Sequence, residues 1–367
     1  MKILISWGHH GAMVPRTQQM LGMFRRAGYE ITDINHREFL GENRTYSSAE
    51  LSERYRNNYE PLARLYATVR QRSRDYDAFM VLYDNVYIPE YLRSLDGIYK
   101  VYFCDDDPEG SEVRSRPYVR AFDYSFAAAV NFDAKTRAWQ KYIDWGARRA
   151  GWYPAAFGIA PDDYDRELTG EVIEAEERPL DVVFIGAADP CKVERILEFR
   201  RLVNMDIYGS GWSRYLNRKG APRSLPSRVI ASLVRAPQDV FKLPPERLVP
   251  TYRATKIGFN IHESYGPCNR RMYSLAANGV MQICDCPESI NEVFESGREV
   301  AVYRSVTEAA ELVRYYLQND RERRAVARAA FERAMRDYLC VPAFEKVVAA
   351  VGDAMRADRA VQVERSL

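Results

Sequence analysis

Short apolar runs alternate with amphipathic stretches along this chain, stop, and then start again. That pattern constrains the fold more than any single residue does. Lys2–Trp7 reads as a strand ending in Gly8, and a helix follows, opening near Pro15 and closing by Gly28. Tyr29–Ile34 reads as a second strand. Ser47-Ser48-Ala49-Glu50 is a capping box for one long arginine-rich helix reaching about Ser73. Ala78–Tyr83, Tyr99–Cys104 and Tyr124–Ala129 are further strands. Strands separated by helices predict a parallel, doubly wound sheet.

The pattern breaks at residues 162–178, which hold eight acidic and two basic side chains, a balance of −6 with little apolar periodicity. Such a stretch reads as a linker. Beyond it Asp181–Ile185, Met205–Tyr208, Lys256–Ile261 and Val280–Cys284 read as strands. Ser305-Val306-Thr307-Glu308 caps another helix, and 320–338 and 342–357 are helical. The expected organisation is an N-terminal domain over 1–161, a linker over 162–178, a second domain over 179–340, and a helix over 341–367 returning to the first domain. The fold class is α/β: two Rossmann-like doubly wound domains facing one another across a cleft.

The chain has 367 residues, enough for two cores. Its net charge of +2 argues against a dedicated nucleic-acid binder. No apolar run reaches membrane-spanning length, and the first strand is too short for a signal peptide, so the cytoplasm is the expected compartment. The six cysteines make no CxxC pair. Cys284 and Cys286 share a strand face, but no second pair or histidine stands near them in sequence. Reduced thiols and no metal are expected.

Four groups of residues carry chemistry. His9 and His10 lie in the loop Gly8-His9-His10-Gly11 after the first strand, where an imidazole can serve as a base near neutral pH. Asp105-Asp106-Asp107-Pro108 follows the fourth strand, and Asp106 is the candidate among its carboxylates. Gly186 ends the first strand of the second half. Gly209-Ser210-Gly211 follows the next strand with backbone free to cradle a phosphate. Lys192, Arg214, Arg253 and Lys256 are cations able to neutralise a diphosphate. The segment from His262 to Asp285 is the most informative. After a strand come His262 and Glu263 and a polar, glycine-containing loop that leads into a short helix ended by Gly279, the segment running through Asn269, Arg270, Arg271, Met272, Tyr273 and Ser274. Amides at a helix start, beside two arginines, suit a diphosphate. Adjacent arginines point about 100° apart on a helix, so one suffices. Glu263 can accept from sugar hydroxyls. Residues 212–248 hold eight basic and two acidic side chains, +6 in all, and read as an insertion able to meet an anionic acceptor or surface.

These motifs in this order resemble the glycosyltransferase group 1 family, and most closely its CgeB-like, spore-maturation-protein branch with that branch's type of N-terminal half. The carriers are Asp181–Gly186, Tyr208–Trp212, Lys256–His262, Asn269-x-Arg271-x-Tyr273, Ala277-x-Gly279 and the run Asn291 to Glu299. The resemblance implies a GT-B fold, a nucleotide-sugar donor as substrate, no cofactor and no obligatory metal. It places donor binding on the loop and helix over 263–279. Related chains carry an acidic residue for the donor ribose where this one has Ser274, and a hydroxyl makes fewer contacts to a diol than a carboxylate does. Sugar transfer to an acceptor hydroxyl is the leading expectation. A GT-B module that binds the sugar nucleotide without catalysis is the alternative that Ser274 favours. A dinucleotide-dependent oxidoreductase ranks below both, since neither half carries GxGxxG.

Overall fold

The computed structural model describes residues 1–9, 13–41, 45–82, 85–104, 107–108, 110–153, 158–217, 241–262, 269–285 and 288–366. Two parallel sheets account for the alternation. The first contains β1 (Lys2–Trp7), β2 (Glu30–Asn35), β3 (Ala78–Leu82), β4 (Tyr99–Cys104), β5 (Tyr124–Ala127) and β6 (Ala150–Trp152), in the order β2-β1-β3-β4-β5-β6. The second contains β7 (Leu180–Ile185), β8 (Asp206–Tyr208), β9 (Thr255–Asn260), β10 (Met281–Cys284) and β11 (Ala301–Val302), in the order β11-β10-β9-β7-β8. Each sheet therefore begins in its interior, runs out to one side, and returns across its own first strand. The reversal lies between β1 and β3 in one sheet and between β7 and β9 in the other. Ligands of open α/β sheets sit beyond strand carboxyl ends at such reversals.

The strands read as continuous apolar runs because helices cover both faces. Leu4 packs with Leu65, Val69 and Phe79 on one side of the first sheet. Ile3, Ile5 and Trp7 pack with Leu21, Phe24 and Phe344 on the other. Phe344 belongs to the helix Cys340–Ser366 and stacks on Phe24 at 4.0 Å. That helix is part of the first unit, which takes the described residues of 1–160 and 338–366. In the second unit Phe199 stacks on Phe259 at 4.0 Å, and Phe259 on Tyr303 at 5.6 Å.

Two expectations change. The single helix expected from Ser47 to Ser73 is two, Ser48–Arg56 and Glu60–Ser73. Asn58 turns left-handed at φ 51° between them, and Pro61 starts the second with no N–H to give the first. The acidic segment over 162–178 is folded into the second unit rather than spanning open chain. Leu168 and Ile173 are buried, and its carboxylates meet arginines far along the chain. Asp165 and Glu176 both pair with Arg253, Glu174 with Arg328 at 2.9 Å, and Glu177 with Arg324 at 3.1 Å. Distant partners absorb the acidity that made the segment look solvated.

Candidate anion site at the ends of two strands

β7 and β9 end side by side, and one side chain reaches both ends. Arg271 donates through Nε to the Ile185 carbonyl at 2.6 Å and through Nη1 to Asn260 Oδ1 at 3.0 Å. Its guanidinium lies 4.2 Å from the centre of the Phe184 ring, a cation–π contact. Nη2 takes no acceptor among the described residues. Gly186 gives it room: a Cβ there would stand 2.4 Å from Nη2. Burial pulls the guanidinium below its usual value, against the nearby Tyr252, Cys284 and Asp285, but an arginine still carries its charge.

The helix that supplies Arg271, Arg270–Ala277, is started by Asn269. Its Oδ1 accepts from the Met272 amide at 3.1 Å and its Nδ2 donates to Asn260 Oδ1 at 2.9 Å. The cap thus fastens the helix start to the end of β9. The amides of Arg270 and Arg271 find no acceptor among the described residues. Of the two arginines, Arg270 turns to Asp163 at 2.7 Å. Tyr273 is buried beside Phe294 at 6.2 Å. Ser274 is buried one turn along, its carbonyl accepting from Asn278 Nδ2 at 2.8 Å. Gly279 lies at the far end of the helix, about 12 Å from its start. It takes φ 62° to end the helix and leaves no space beside Ile173, so its role is packing and not ligand contact.

The Gly209-Ser210-Gly211 turn stands beside this site, but its freedom is used within the protein. The Gly209 amide donates to the Phe241 carbonyl at 2.7 Å, and a Cβ on Gly209 would lie 2.0 Å from the Gly186 oxygen. The Ser210 carbonyl accepts from Ala188, and Trp212 Nε1 donates to Gly186 O at 2.8 Å. The turn shapes the loop after β7, and its Gly209 amide is spent on Phe241. Lys256 is a clearer correction. It is the second residue of β9, about 13 Å from the carboxyl end, and pairs with Asp181 at 2.6 Å. Arg253 is held by Asp165 and Glu176. Lys192 sits in the first turn of the helix Pro190–Leu202, at the correct end of β7.

His262 follows β9, with its Nδ1 2.7 Å from Asp285 Oδ1 and its amide donating to Asp285 Oδ2 at 2.9 Å. Burial opposes ionisation of Asp285, but the His262 ring, its amide and Arg195 outweigh it and hold the carboxyl below its ordinary range. Cys284 Sγ is 3.8 Å from His262 Nδ1. Cys284, with no histidine near it in sequence, therefore has one beside it in space, contrary to the expectation from spacing. Asn260 and Asp285 were missed by sequence reasoning. Asn260 had one legible signal, a polar residue closing a buried apolar strand.

In the first unit the structure places His9 at the reversal, with Nδ1 2.6 Å from Thr17 Oγ1. Asp107 is buried and turned inward, accepting from Tyr142 Oη at 2.6 Å and Cys104 Sγ at 3.4 Å. Burial raises its pKa despite the hydrogen bonds from Ser115, Tyr142 and Cys104. His10, Asp105, Asp106 and Glu263 lie outside the described residues, as does the insertion except for 212–217 and 241–248. Among the described residues no helix is long and apolar enough to cross a membrane.

Two Rossmann-like parallel-sheet units in one chain define the GT-B fold class. A glycosyl transferase-like family model matches residues 192–349. Among solved structures, the Anabaena Alr3699/HepE protein in complex with UDP is similar at 14% identity and a TM-score of 0.56, covering 96% of this chain and 100% of that one. Sucrose-phosphate synthase from Thermosynechococcus elongatus is similar at 12% identity and a TM-score of 0.60, over 98% and 100%. A glycosyltransferase from Rickettsia africae ESF-5 is similar at 10% identity and a TM-score of 0.60, over 96% and 99%. At these identities the likeness is one of fold. No curated protein matches.

Proposed function

We propose that this chain transfers a sugar from a nucleotide-sugar donor to an acceptor hydroxyl, with the donor diphosphate at the ends of β7 and β9. The observation that carries the reading is Arg271, anchored on both strand ends with Nη2 directed at Gly186. A charge fixed in this way stabilises the leaving diphosphate without reorganising as negative charge develops. The amides of Arg270 and Arg271 add to it, and no metal is required of the step. The family-model match over 192–349 and the UDP bound to the similar Anabaena protein make uridine diphosphate sugars the first donors to test. The motif order supports placement in the CgeB-like branch.

Transfer is measured with uridine, guanosine, thymidine and cytidine sugar nucleotides, following donor hydrolysis and thermal shift together. A ligand at 100 times its Kd stabilises by about 2.7 kcal/mol, which a melting curve resolves. No shift and no turnover with any of them rejects the proposal. A shift without turnover favours the second reading, a binding module, which buried Ser274 at the usual acidic position supports.

A further inference from the structure

Parallel pairing sets Cys284 opposite Asn260, so Asp285, the first residue beyond β10, and His262, the second beyond β9, meet. An imidazole from one strand end is thereby brought to a thiol and a carboxylate that are neighbours at the other. Nδ1 of His262 is 2.7 Å from Oδ1 of Asp285, and Sγ of Cys284 is 3.8 Å from each. This triangle admits a point about 2.1 Å from the nitrogen and the oxygen and about 2.3 Å from the sulfur, which are zinc bond lengths. The angles at that point are about 80° between nitrogen and oxygen and about 120° to sulfur, leaving a fourth position for tetrahedral coordination.

We infer that His262 Nδ1, Cys284 Sγ and Asp285 Oδ1 bind a thiophilic divalent cation of the zinc kind. The donor set suits it: borderline-soft cations take thiolate and imidazole, and a thiolate and a carboxylate together balance two positive charges. His262 and Cys284 are buried, so an ion there is held in a dry site by charge-balancing ligands. The carboxylate is already oriented, since the His262 amide donates to Oδ2 at 2.9 Å and to Oδ1 at 3.2 Å while Oδ1 also faces the imidazole and the thiol. On binding, the cysteine S–H bond breaks and its proton goes to solvent; the Nδ1 proton that His262 shares with Asp285 is also displaced to solvent, and the imidazole is left neutral with its one proton on Nε2. The bound cation would tie the ends of β9 and β10 together. This inference does not depend on the chain being a transferase.

The test uses the full chain, stripped with a chelator, dialysed and titrated with Co²⁺. One equivalent should bind with a thiolate-to-cobalt charge-transfer band in the near ultraviolet, and Zn²⁺ should abolish the band by displacement. Cys284→Ser should remove it, while Cys191→Ser, at an exposed thiol elsewhere, should leave it intact. His262→Gln and Asp285→Asn should each weaken Co²⁺ binding at least about tenfold. Circular dichroism of each variant confirms that it is folded; should Cys284→Ser fail to fold, Asp285→Asn carries the test. No band in the unaltered chain, a band unchanged in Cys284→Ser, or a Co²⁺ affinity unchanged in Asp285→Asn overturns the inference. Because cobalt absorbance is independent of donor binding, its failure and failure of the transferase reading are separable.

Discussion

Gly8 and Gly186 occupy the same position in the two sheets. Each directly follows its sheet's first strand, at the reversal, and each is kept a glycine by a polar side chain pressed against it. A Cβ on Gly8 would lie 2.0 Å from His36 Nε2, and one on Gly186 would lie 2.4 Å from Arg271 Nη2. What differs is the chemistry of the intruder. His36 is buried with Nδ1 3.1 Å from Ser6 Oγ, which in turn lies 2.6 Å from Tyr87 Oη. That cluster fills space in the first unit. Arg271 brings a fixed positive charge to the same place in the second. Strand order creates the close approach, and the element that follows decides whether it becomes packing or an anion site.

The largest effect should separate the two intruders directly. Arg271→Ala removes a charge-assisted contact and should weaken UDP binding about 100-fold by calorimetry. His36→Ala should leave that affinity within about twofold. Equal losses in both would break the comparison.

Next comes the loop that shapes Gly186. Gly209→Ala meets the Gly186 oxygen at 2.0 Å with φ at 140°, and should cost about 3 kcal/mol in denaturant unfolding. Gly28→Ala, also at positive φ but with nothing within 4 Å, should cost only about 1 kcal/mol. A similar loss in both would show that backbone conformation, not the close approach, sets the cost.

The paired glycines sharpen the contrast further. Gly8→Ala should lower stability by about 1–2 kcal/mol without changing UDP affinity. Gly186→Ala should displace Arg271 and lower UDP affinity about tenfold, on the scale of one hydrogen bond to a charged group. Reversed outcomes would place the anion site in the first unit.

The smallest effect is a pH dependence confined to the first unit. Burial raises the Asp107 pKa above 3.8, so the folded chain holds that proton more tightly than the unfolded one. The resulting stability is full below the unfolded value and is lost as pH rises through the folded pKa. Asp107→Asn should therefore gain stability relative to the unaltered chain as pH rises from 4 toward neutrality, read from urea midpoints. A difference constant with pH would show that Asp107 is not shifted.

Much of the fold was legible because its signals are local. β1 and β4 match the runs read from sequence, since strands buried on both faces show as unbroken apolar stretches. Ser47 and Ser305 could be read as helix starts, and both side chains cap. The short strands β6 and β11 were missed, having three and two residues and no periodicity to detect. In the site, proximity to a helix start singled out Arg270 and Arg271 but could not choose between them. Asp163 takes Arg270 from 107 residues away, and Ile185 takes Arg271 from 86.

By itself the sequence determined two α/β units, most of their strands, and a short helix starting beside Arg270 and Arg271. Periodicity and capping act within a few residues, so one chain is enough to read them. Only the tertiary structure decided that Lys256 pairs with Asp181, that Gly209 spends its amide on Phe241, and that His262 meets Cys284 and Asp285. Those outcomes depend on register between strands joined by long crossovers, and register is set by packing that no local window contains.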